Sequence, residues 1–189
     1  IALLAKEMKR SNELNENKVV GTFMSNLGLE IFLNSLNINL HRTKVGDRYI
    51  LDEMIKSNCK LGGEPSGHIL LTEFAKTGDG LLTAIKILSL LKKSGIKASK
   101  FLRPFKPVPQ TLKNLKNINK EILSNEIITK LVREKQKILG KNGRVLLRAS
   151  GTEDLIRIMV ECDNQSLVEE ITENIAKKII EQNDIVKNK

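Results

Sequence analysis

The chain has 189 residues, of which 40% are hydrophobic and 29% charged, with 12 Gly and 4 Pro. This composition excludes a collagen-like, low-complexity or disordered chain, and the length allows one large domain or two small ones. The formal net charge is +10, and no apolar run approaches the ~18–20 residues that a membrane-spanning helix needs, so we expect no membrane partner.

Strand-like and helix-like segments alternate along the first hundred residues, a pattern typical of an α/β domain with substantially parallel strands. The hydrophobic periodicity predicts helices at residues 1–10 and 81–93, and helices that begin at Asn26 and at Gly46. Asn26 and Asp79 can cap helices, and Gly95 can end the helix at 81–93. It predicts strands at residues 18–23, 39–45 and 68–74, with a glycine-rich loop at 61–68.

The pattern of predicted elements changes after residues 94–110. This basic segment holds three of the four prolines, which indicates a connection between domains. The later pattern predicts strands at residues 111–118, 144–148 and 155–160 and helices at 125–139 and 166–180. We therefore expect an α/β domain over residues 1–103, a linker over 104–110 and a small α+β domain over 111–189.

The positive charge is concentrated in residues 92–148, which hold 16 Lys and Arg against 3 Glu. Such a segment suggests nucleic-acid binding. However, the 24 Lys outnumber the 8 Arg, and the six aromatic residues do not alternate with basic ones as a base-stacking surface requires. We interpret the segment as a solvated basic surface and expect no nucleic-acid partner.

The two cysteines, Cys59 and Cys162, are too few for a disulfide framework or a four-ligand zinc site. Together with the absence of a visible secretory signal, this favours a cytoplasmic protein. Because residues 1–8 already read as the middle of an amphipathic helix, we expect the chain to be the C-terminal piece of a longer protein.

The first polar motif is Leu61-Gly-Gly-Glu-Pro-Ser-Gly-His68. Its glycines allow a close backbone approach, and they present Glu64, Ser66 and His68. A carboxylate accepts hydrogen bonds from two neighbouring hydroxyls, and a Ser hydroxyl donates and accepts, which suits a sugar ring. A polar turn in which Glu64 caps the next element explains the motif about equally well.

The second motif is Arg148-Ala-Ser-Gly-Thr-Glu-Asp-Leu-Ile-Arg157. Ser150, Gly151 and Thr152 can form a concavity of backbone N–H groups, on which Arg148 and Arg157 can converge from two strands. One guanidinium group can donate two parallel hydrogen bonds to a phosphate, so the motif predicts a phosphate site. The alternative is a β-hairpin with cross-strand ion pairs to Glu153 or Glu161.

The third motif, Thr43-Lys-Val-Gly-Asp-Arg-Tyr49, lies at a strand-to-helix junction. Asp47 and Arg48 are candidates for ligand contacts in a cleft, and a helix N-terminus with a solvated Arg explains them as well. The sequence contains no Asp-x-Asp-x-Asp cluster for Mg²⁺ and no Ser/His/Asp or Cys/His nucleophile arrangement, so we predict no metal site and no catalytic residue in this chain.

The motifs at 62–68 and 148–157, in this order, resemble the α-D-phosphohexomutase superfamily along essentially the whole chain. The segments at 21–30, 45–50 and 77–80 resemble its bacterial phosphoglucosamine mutase branch. The resemblance implies most of domain 3 and all of domain 4 of a four-domain isomerase. That enzyme interconverts glucosamine 6-phosphate and glucosamine 1-phosphate for amino-sugar and peptidoglycan precursor synthesis.

By this resemblance, the phosphoserine that donates the phosphoryl group lies in domain 1, and three Asp ligands of Mg²⁺ lie in domain 2. Both would belong to the remaining N-terminal domains, so the chain alone is expected to be inactive. Its partners would be glucosamine phosphate and the bisphosphate intermediate. Glu64, Ser66 and His68 would bind sugar hydroxyls, and Arg148, Ser150, Gly151, Thr152 and Arg157 the non-transferring phosphate.

One residue departs from the resemblance. The family usually has Pro where this chain has Asp154, and a carboxylate beside the phosphate turn weakens anion binding unless it points away. Two other functions stay open: a mutase of mannose or glucose phosphates, and a non-catalytic module that binds sugar phosphates.

Overall fold

The computed structural model describes residues 1–151 and 153–187, and its internal contacts separate unit 1, Ile1–Pro107, from unit 2, Val108–Lys189. Within the described ranges, the helices lack the combined length and apolar character of a membrane span. The α/β plus α+β fold class predicted from the sequence is confirmed.

Unit 1 is built on a four-stranded sheet in the order β2-β1-β3-β4. The strands are β1 (Lys18–Thr22), β2 (Asn39–Thr43), β3 (Leu61–Gly63) and β4 (Ile69–Leu71). The helices are α1 (Ala2–Arg10), α2 (Leu27–Ser35), α3 (Asp47–Lys56), α4 (Gly80–Ser94) and α5 (Ala98–Phe101). Strands β2 and β3 run parallel to β1, whereas β4 runs antiparallel to β3.

Strand β1 is buried on both faces because helices pack on each side of the sheet. Val19 and Val20 are both fully buried, and consecutive strand residues point to opposite faces. Val19 lies in a core with residues of α1 and α2, and Val20 in one with Ile50 and Met54 of α3. Burial on both faces is typical of parallel strands in α/β proteins.

Two local predictions for unit 1 are wrong. The predicted strand at 68–74 is only Ile69–Leu71, and the predicted loop at 61–68 begins inside β3. The reason is a tight antiparallel hairpin: Gly62 and Gly63 pair with β4 and leave only residues 64–68 for the turn. The sheet is therefore mixed rather than parallel throughout.

Unit 2 combines a three-stranded antiparallel sheet with two long helices. The strands are β5 (Gln110–Lys116), β6 (Gly143–Ala149) and β7 (Leu155–Cys162), in the order β5-β7-β6. The helices are α6 (Glu126–Leu139) and α7 (Gln165–Lys187). One face of the central strand β7 packs on these helices through Ile156, Ile158 and Val160. Alternation therefore places Arg157 and Glu161 on the opposite face.

Some predicted boundaries change. Helix α7 continues to Lys187, beyond the predicted end at residue 180. The segment around the prolines contains the short helix α5, and its Phe105 stacks on Phe32 of α2 with the ring centroids 5.8 Å apart. Strand β5 begins at Gln110, one residue inside the predicted linker.

Candidate functional site

In unit 1, two of the polar motifs follow parallel strands at the same edge of the sheet. Asp47 begins α3, four residues after the end of β2, and the turn at 64–68 follows β3 directly. Both strands run parallel to β1, so their carboxyl ends lie at one edge. Open α/β sheets bind ligands outside this edge.

The turn at 64–68 depends on glycines at two positions. A Cβ atom on Gly63 would lie 2.6 Å from the carbonyl oxygen of His68, so only glycine allows this close approach. Gly67 has φ of +101°, which other residues rarely adopt. The backbone N–H of Glu64 donates to the carbonyl of His68 at 3.1 Å and closes the turn.

The turn brings together three side chains from two of the sequence motifs. The Nδ1 atom of His68 lies 3.1 Å from Oδ1 of Asp47 and 3.3 Å from Oε1 of Glu64. The Glu64 side chain is only 9% exposed, whereas that of His68 is 60% exposed. We call Asp47, Glu64 and His68 the carboxylate–histidine cluster. Sequence analysis did not predict the pairing of Asp47 with His68, because it arises from strand order.

The carboxylate–histidine cluster does not fit Mg²⁺. It is the one group of three potential metal-ligating side chains found among the residues that the structure describes, with its ligand atoms within 4.8 Å of one another. One of the three ligands is an imidazole nitrogen, whereas Mg²⁺ prefers an octahedral shell of oxygen atoms. We therefore assign no magnesium chemistry to it.

The remaining predicted residues of unit 1 lie on the surface. Ser66 is exposed at the tip of the turn, and Arg48 is exposed on the first turn of α3. Neither belongs to the carboxylate–histidine cluster. Of Asp47 and Arg48, the two candidates at the strand-to-helix junction, only Asp47 belongs to the carboxylate–histidine cluster. His41 of β2 lies with its Nε2 3.4 Å from Oε1 of Glu53.

In unit 2, two arginines of β6 face β7 on the side of the sheet away from the helices. Arg144 is directly opposite Glu161, and Arg148 is directly opposite Arg157. Glu161 is fully buried, and its Oε1 accepts a hydrogen bond of 2.8 Å from Nε of Arg144. The first pair is thus neutralised within the sheet, whereas the second places two positive charges side by side.

The Arg148–Arg157 pair has unused hydrogen-bond donors. The Nε atoms of both residues are buried and have no hydrogen-bond partner among the described residues. Burial, and then the positive charge of Arg157, lowers the pKa of the Arg148 guanidinium. Buried donors without partners cost stability, so this arrangement is suited to an anion that brings oxygen acceptors and negative charge.

The turn after β6 only partly matches the predicted concavity. Ser150 is 6% exposed, and its Oγ accepts a hydrogen bond of 3.3 Å from the N–H of Glu153. Gly151 is exposed, a Cβ atom added to it would meet no heavy atom within 4 Å, and Thr152 lies outside the described residues. The predicted ion pair to Glu153 is present, with 2.8 Å between its Oε2 and Nη2 of Arg157.

Asp154 forms its ion pair with Lys120 and not with the arginine pair. Its Oδ1 lies 3.4 Å from Nζ of Lys120, and its side chain is 79% exposed. An exposed ion pair of this kind is screened by solvent. The negative charge of Asp154 is therefore balanced in part by a nearby cation in unit 2.

Comparison with protein families assigns both units. The model of "Phosphoglucomutase/phosphomannomutase, alpha/beta/alpha domain III" matches residues 1–108. The model of "Phosphoglucomutase/phosphomannomutase, C-terminal domain" matches residues 109–178.

Individual relatives point in the same direction. Phosphoglucosamine mutase of Mesorhizobium japonicum is 42% identical over 96% of this chain, and that of Agrobacterium fabrum is 43% identical over 93%. The chain spans only 40% and 39% of the length of these curated relatives. Among solved structures, N-acetylphosphoglucosamine mutase of Aspergillus fumigatus has a TM-score of 0.81 at 16% identity, over 96% of this chain and 42% of that one.

A second structure of the Aspergillus fumigatus enzyme contains GlcNAc-6P and magnesium. It matches with a TM-score of 0.75 at 17% identity and covers 93% of this chain and 44% of that chain. At this level of identity the likeness concerns the fold.

Proposed function

This chain belongs to the phosphoglucomutase/phosphomannomutase family, and we propose that it supplies the substrate-binding portion of a phosphoglucosamine mutase. The reaction would interconvert glucosamine 6-phosphate and glucosamine 1-phosphate through a bisphosphorylated sugar in the cytoplasm. The identity of 42% to a named phosphoglucosamine mutase supports this subfamily. The phosphoserine and the Mg²⁺ ligands would come from residues outside this chain.

The Arg148–Arg157 pair is the observation that carries the proposal. Two buried guanidinium Nε donors that have no partner among the described residues lie on the same sheet face as the neutralised Arg144–Glu161 pair, and they are unfavourable unless an anion binds. A phosphate ester offers several acceptor oxygens and up to two negative charges. Ser150 and Gly151 at the following turn, together with Thr152, would complete this phosphate site.

Unit 1 would bind the sugar through the turn at 64–68. The carboxylate of Glu64 can accept from two ring hydroxyls, and the exposed Ser66 can donate to or accept from another. Phosphoryl transfer depends mainly on positioning and charge stabilisation, so residues that hold the non-reacting parts of the sugar phosphate contribute to catalysis without touching the transferred group.

Calorimetric titration of the chain tests this proposal. We expect glucosamine 6-phosphate and inorganic phosphate to bind, and Arg148→Ala to weaken both by roughly tenfold or more, as for loss of a charged hydrogen bond. Arg133→Ala is the matched control, because Arg133 is an exposed arginine of α6 in the same unit. Equal affinity of the Arg148 variant and the unaltered chain would rule the phosphate site out.

Activity assays separate the remaining alternatives. We expect the chain alone to show no mutase activity with Mg²⁺, and turnover would contradict the proposed division of roles. In the intact protein, comparison of glucosamine, glucose and mannose 6-phosphates distinguishes a phosphoglucosamine mutase from the other mutases of the family. A preference for glucose or mannose 6-phosphate would overturn the subfamily assignment.

A further inference from the structure

The two histidines of the chain each contact a carboxylate, but through different ring nitrogens. His68 faces Oδ1 of Asp47 with Nδ1 at 3.1 Å, and His41 faces Oε1 of Glu53 with Nε2 at 3.4 Å. An ionised carboxylate has only acceptor atoms, so the nitrogen that faces it must carry the proton. When both rings are neutral, the two histidines are therefore expected in opposite tautomers.

The contact with Asp47 leaves His68 with an acceptor nitrogen for a ligand. With its proton on Nδ1, the neutral ring has an unprotonated Nε2, and neither of its carboxylate contacts uses that atom. The side chain is 60% exposed, so a ligand can reach it. A hydroxyl group of a bound sugar can donate its hydrogen to this nitrogen.

The contact between Asp47 and His68 also leaves the Glu64 carboxylate available for sugar hydroxyls. Oδ1 of Asp47 makes the hydrogen bond to Nδ1, and Oε1 of Glu64 lies slightly farther from the same nitrogen, at 3.3 Å. If Asp47 were absent, the Glu64 carboxylate would be the remaining partner for the Nδ1 proton. Glu64 would then bind His68 instead of sugar hydroxyls.

We infer that Asp47 is a positioning residue of the sugar site: it accepts the Nδ1 proton of His68, which turns Nε2 into a hydroxyl acceptor and keeps Glu64 free for the ring. This inference rests on the proposed sugar-binding role of the turn at 64–68. Asp47 itself is well placed for the task, because it is the first residue of α3 and Gly78 lies beside both partners without crowding them. A Cβ on Gly78 would lie 3.5 Å from Oδ2 of Asp47 and 3.7 Å from Cβ of His68.

The tautomers can be read directly from long-range ¹H–¹⁵N NMR spectra of the labelled chain, at a pH where both rings are neutral. We expect the proton of His68 on Nδ1 and that of His41 on Nε2, so each histidine serves as the reference for the other. This comparison needs no variant. A His68 proton on Nε2 in the unaltered chain overturns the inference.

Three variants then test the role of Asp47. Asp47→Glu keeps a carboxylate, whose oxygens can only accept, so it should retain the Nδ1–H tautomer and recover part of the affinity for glucosamine 6-phosphate that Asp47→Ala loses. Asp47→Ala should lose the tautomer preference or capture Glu64, and weaken that binding by about tenfold. Asp52→Ala, which removes an exposed carboxylate from the same helix, is the control and should change neither.

The outcomes separate this inference from the proposed function. Equal affinity of the Asp47→Ala variant and the unaltered chain overturns the positioning role, and so does a Glu variant that retains the Nδ1–H tautomer but binds as weakly as the Ala variant. If the two histidines have opposite tautomers, the Asp47–His68 contact is supported. If the unaltered chain nevertheless fails to bind glucosamine 6-phosphate, the proposed sugar site is overturned.

Discussion

Replacement of Arg148 by Met should make unit 2 more stable while it destroys the phosphate site. The substitution removes a positive charge directly opposite Arg157 and a buried Nε donor without a partner among the described residues, and it keeps most of the aliphatic stem. Like charges opposite each other cost about 0.2–1 kcal/mol, and a buried unpaired donor about 1–3 kcal/mol. Some packing is lost, so we expect a net gain of about 1 kcal/mol.

Phosphate should reverse this order. A ligand at ten times its dissociation constant stabilises the folded state by about 1.4 kcal/mol, and only the unaltered chain would gain this increment. The unaltered chain should therefore match or exceed the Arg148→Met variant in phosphate, although it is less stable without phosphate. A crossover of this kind is the signature of a binding site that is maintained at the expense of stability.

Native-state hydrogen exchange of the β7 amides measures this effect at the sheet of unit 2. Arg133→Met, at an exposed position of α6, is the matched control and should change the opening free energy by no more than about 0.5 kcal/mol. A loss of 1 kcal/mol or more in the phosphate-free Arg148 variant would refute the reasoning, because Arg148 would then stabilise the sheet.

Three further substitutions test the fold around the two sites. Arg144→Ala should lower the free energy of unfolding by about 3–5 kcal/mol in urea denaturation, because it leaves Glu161 buried without its guanidinium partner. Gly63→Ala should cost about 1–3 kcal/mol and shift the NMR signals of the turn, since its Cβ would lie 2.6 Å from the His68 carbonyl oxygen. Burial raises the pKa of the Cys59 thiol, so stability should fall above pH ~8.5, where the unfolded thiol ionises first, and fall less in Cys59→Ala.

Controls for these substitutions come from the same chain. Lys178→Ala breaks an exposed pair with Glu181 and should cost no more than about 1 kcal/mol. Gly80 is the first residue of α4, and no heavy atom lies within 4 Å of a Cβ added to it. Gly80→Ala should therefore leave the free energy of unfolding unchanged or raise it slightly. Losses at these control positions equal to those at Arg144 and Gly63 would contradict the burial argument. A parallel pH dependence of the unaltered chain and Cys59→Ala would contradict the thiol argument.

Local signals in the sequence were sufficient for most elements. Asn26 and Asp79 were predicted to cap helices, and their side chains accept hydrogen bonds from the N–H groups of Gly28 and Leu82. Gly95, which was predicted to end the helix that Asp79 caps, has φ of +64°. Such caps involve residues only two or three positions apart, so the sequence alone contains the information.

Contacts between distant residues could not be predicted in the same way. Asp47 and His68 are 21 residues apart and meet only because β2 and β3 both run parallel to β1. The contrast between Arg144 and Arg148 depends likewise on the register of β6 against β7. The motif at 148–157 indicated a phosphate site, but only the structure shows that two buried Nε donors have no partner in the described part of the chain.

The most direct test of the account is a ¹H–¹⁵N NMR titration of the chain with glucosamine 6-phosphate, followed by one with inorganic phosphate. The account predicts that the sugar phosphate shifts the amide signals of residues 64–68 and 148–151, whereas inorganic phosphate shifts those of 148–151. If saturating glucosamine 6-phosphate leaves both groups of signals unmoved, or moves only signals elsewhere in the chain, the account is contradicted.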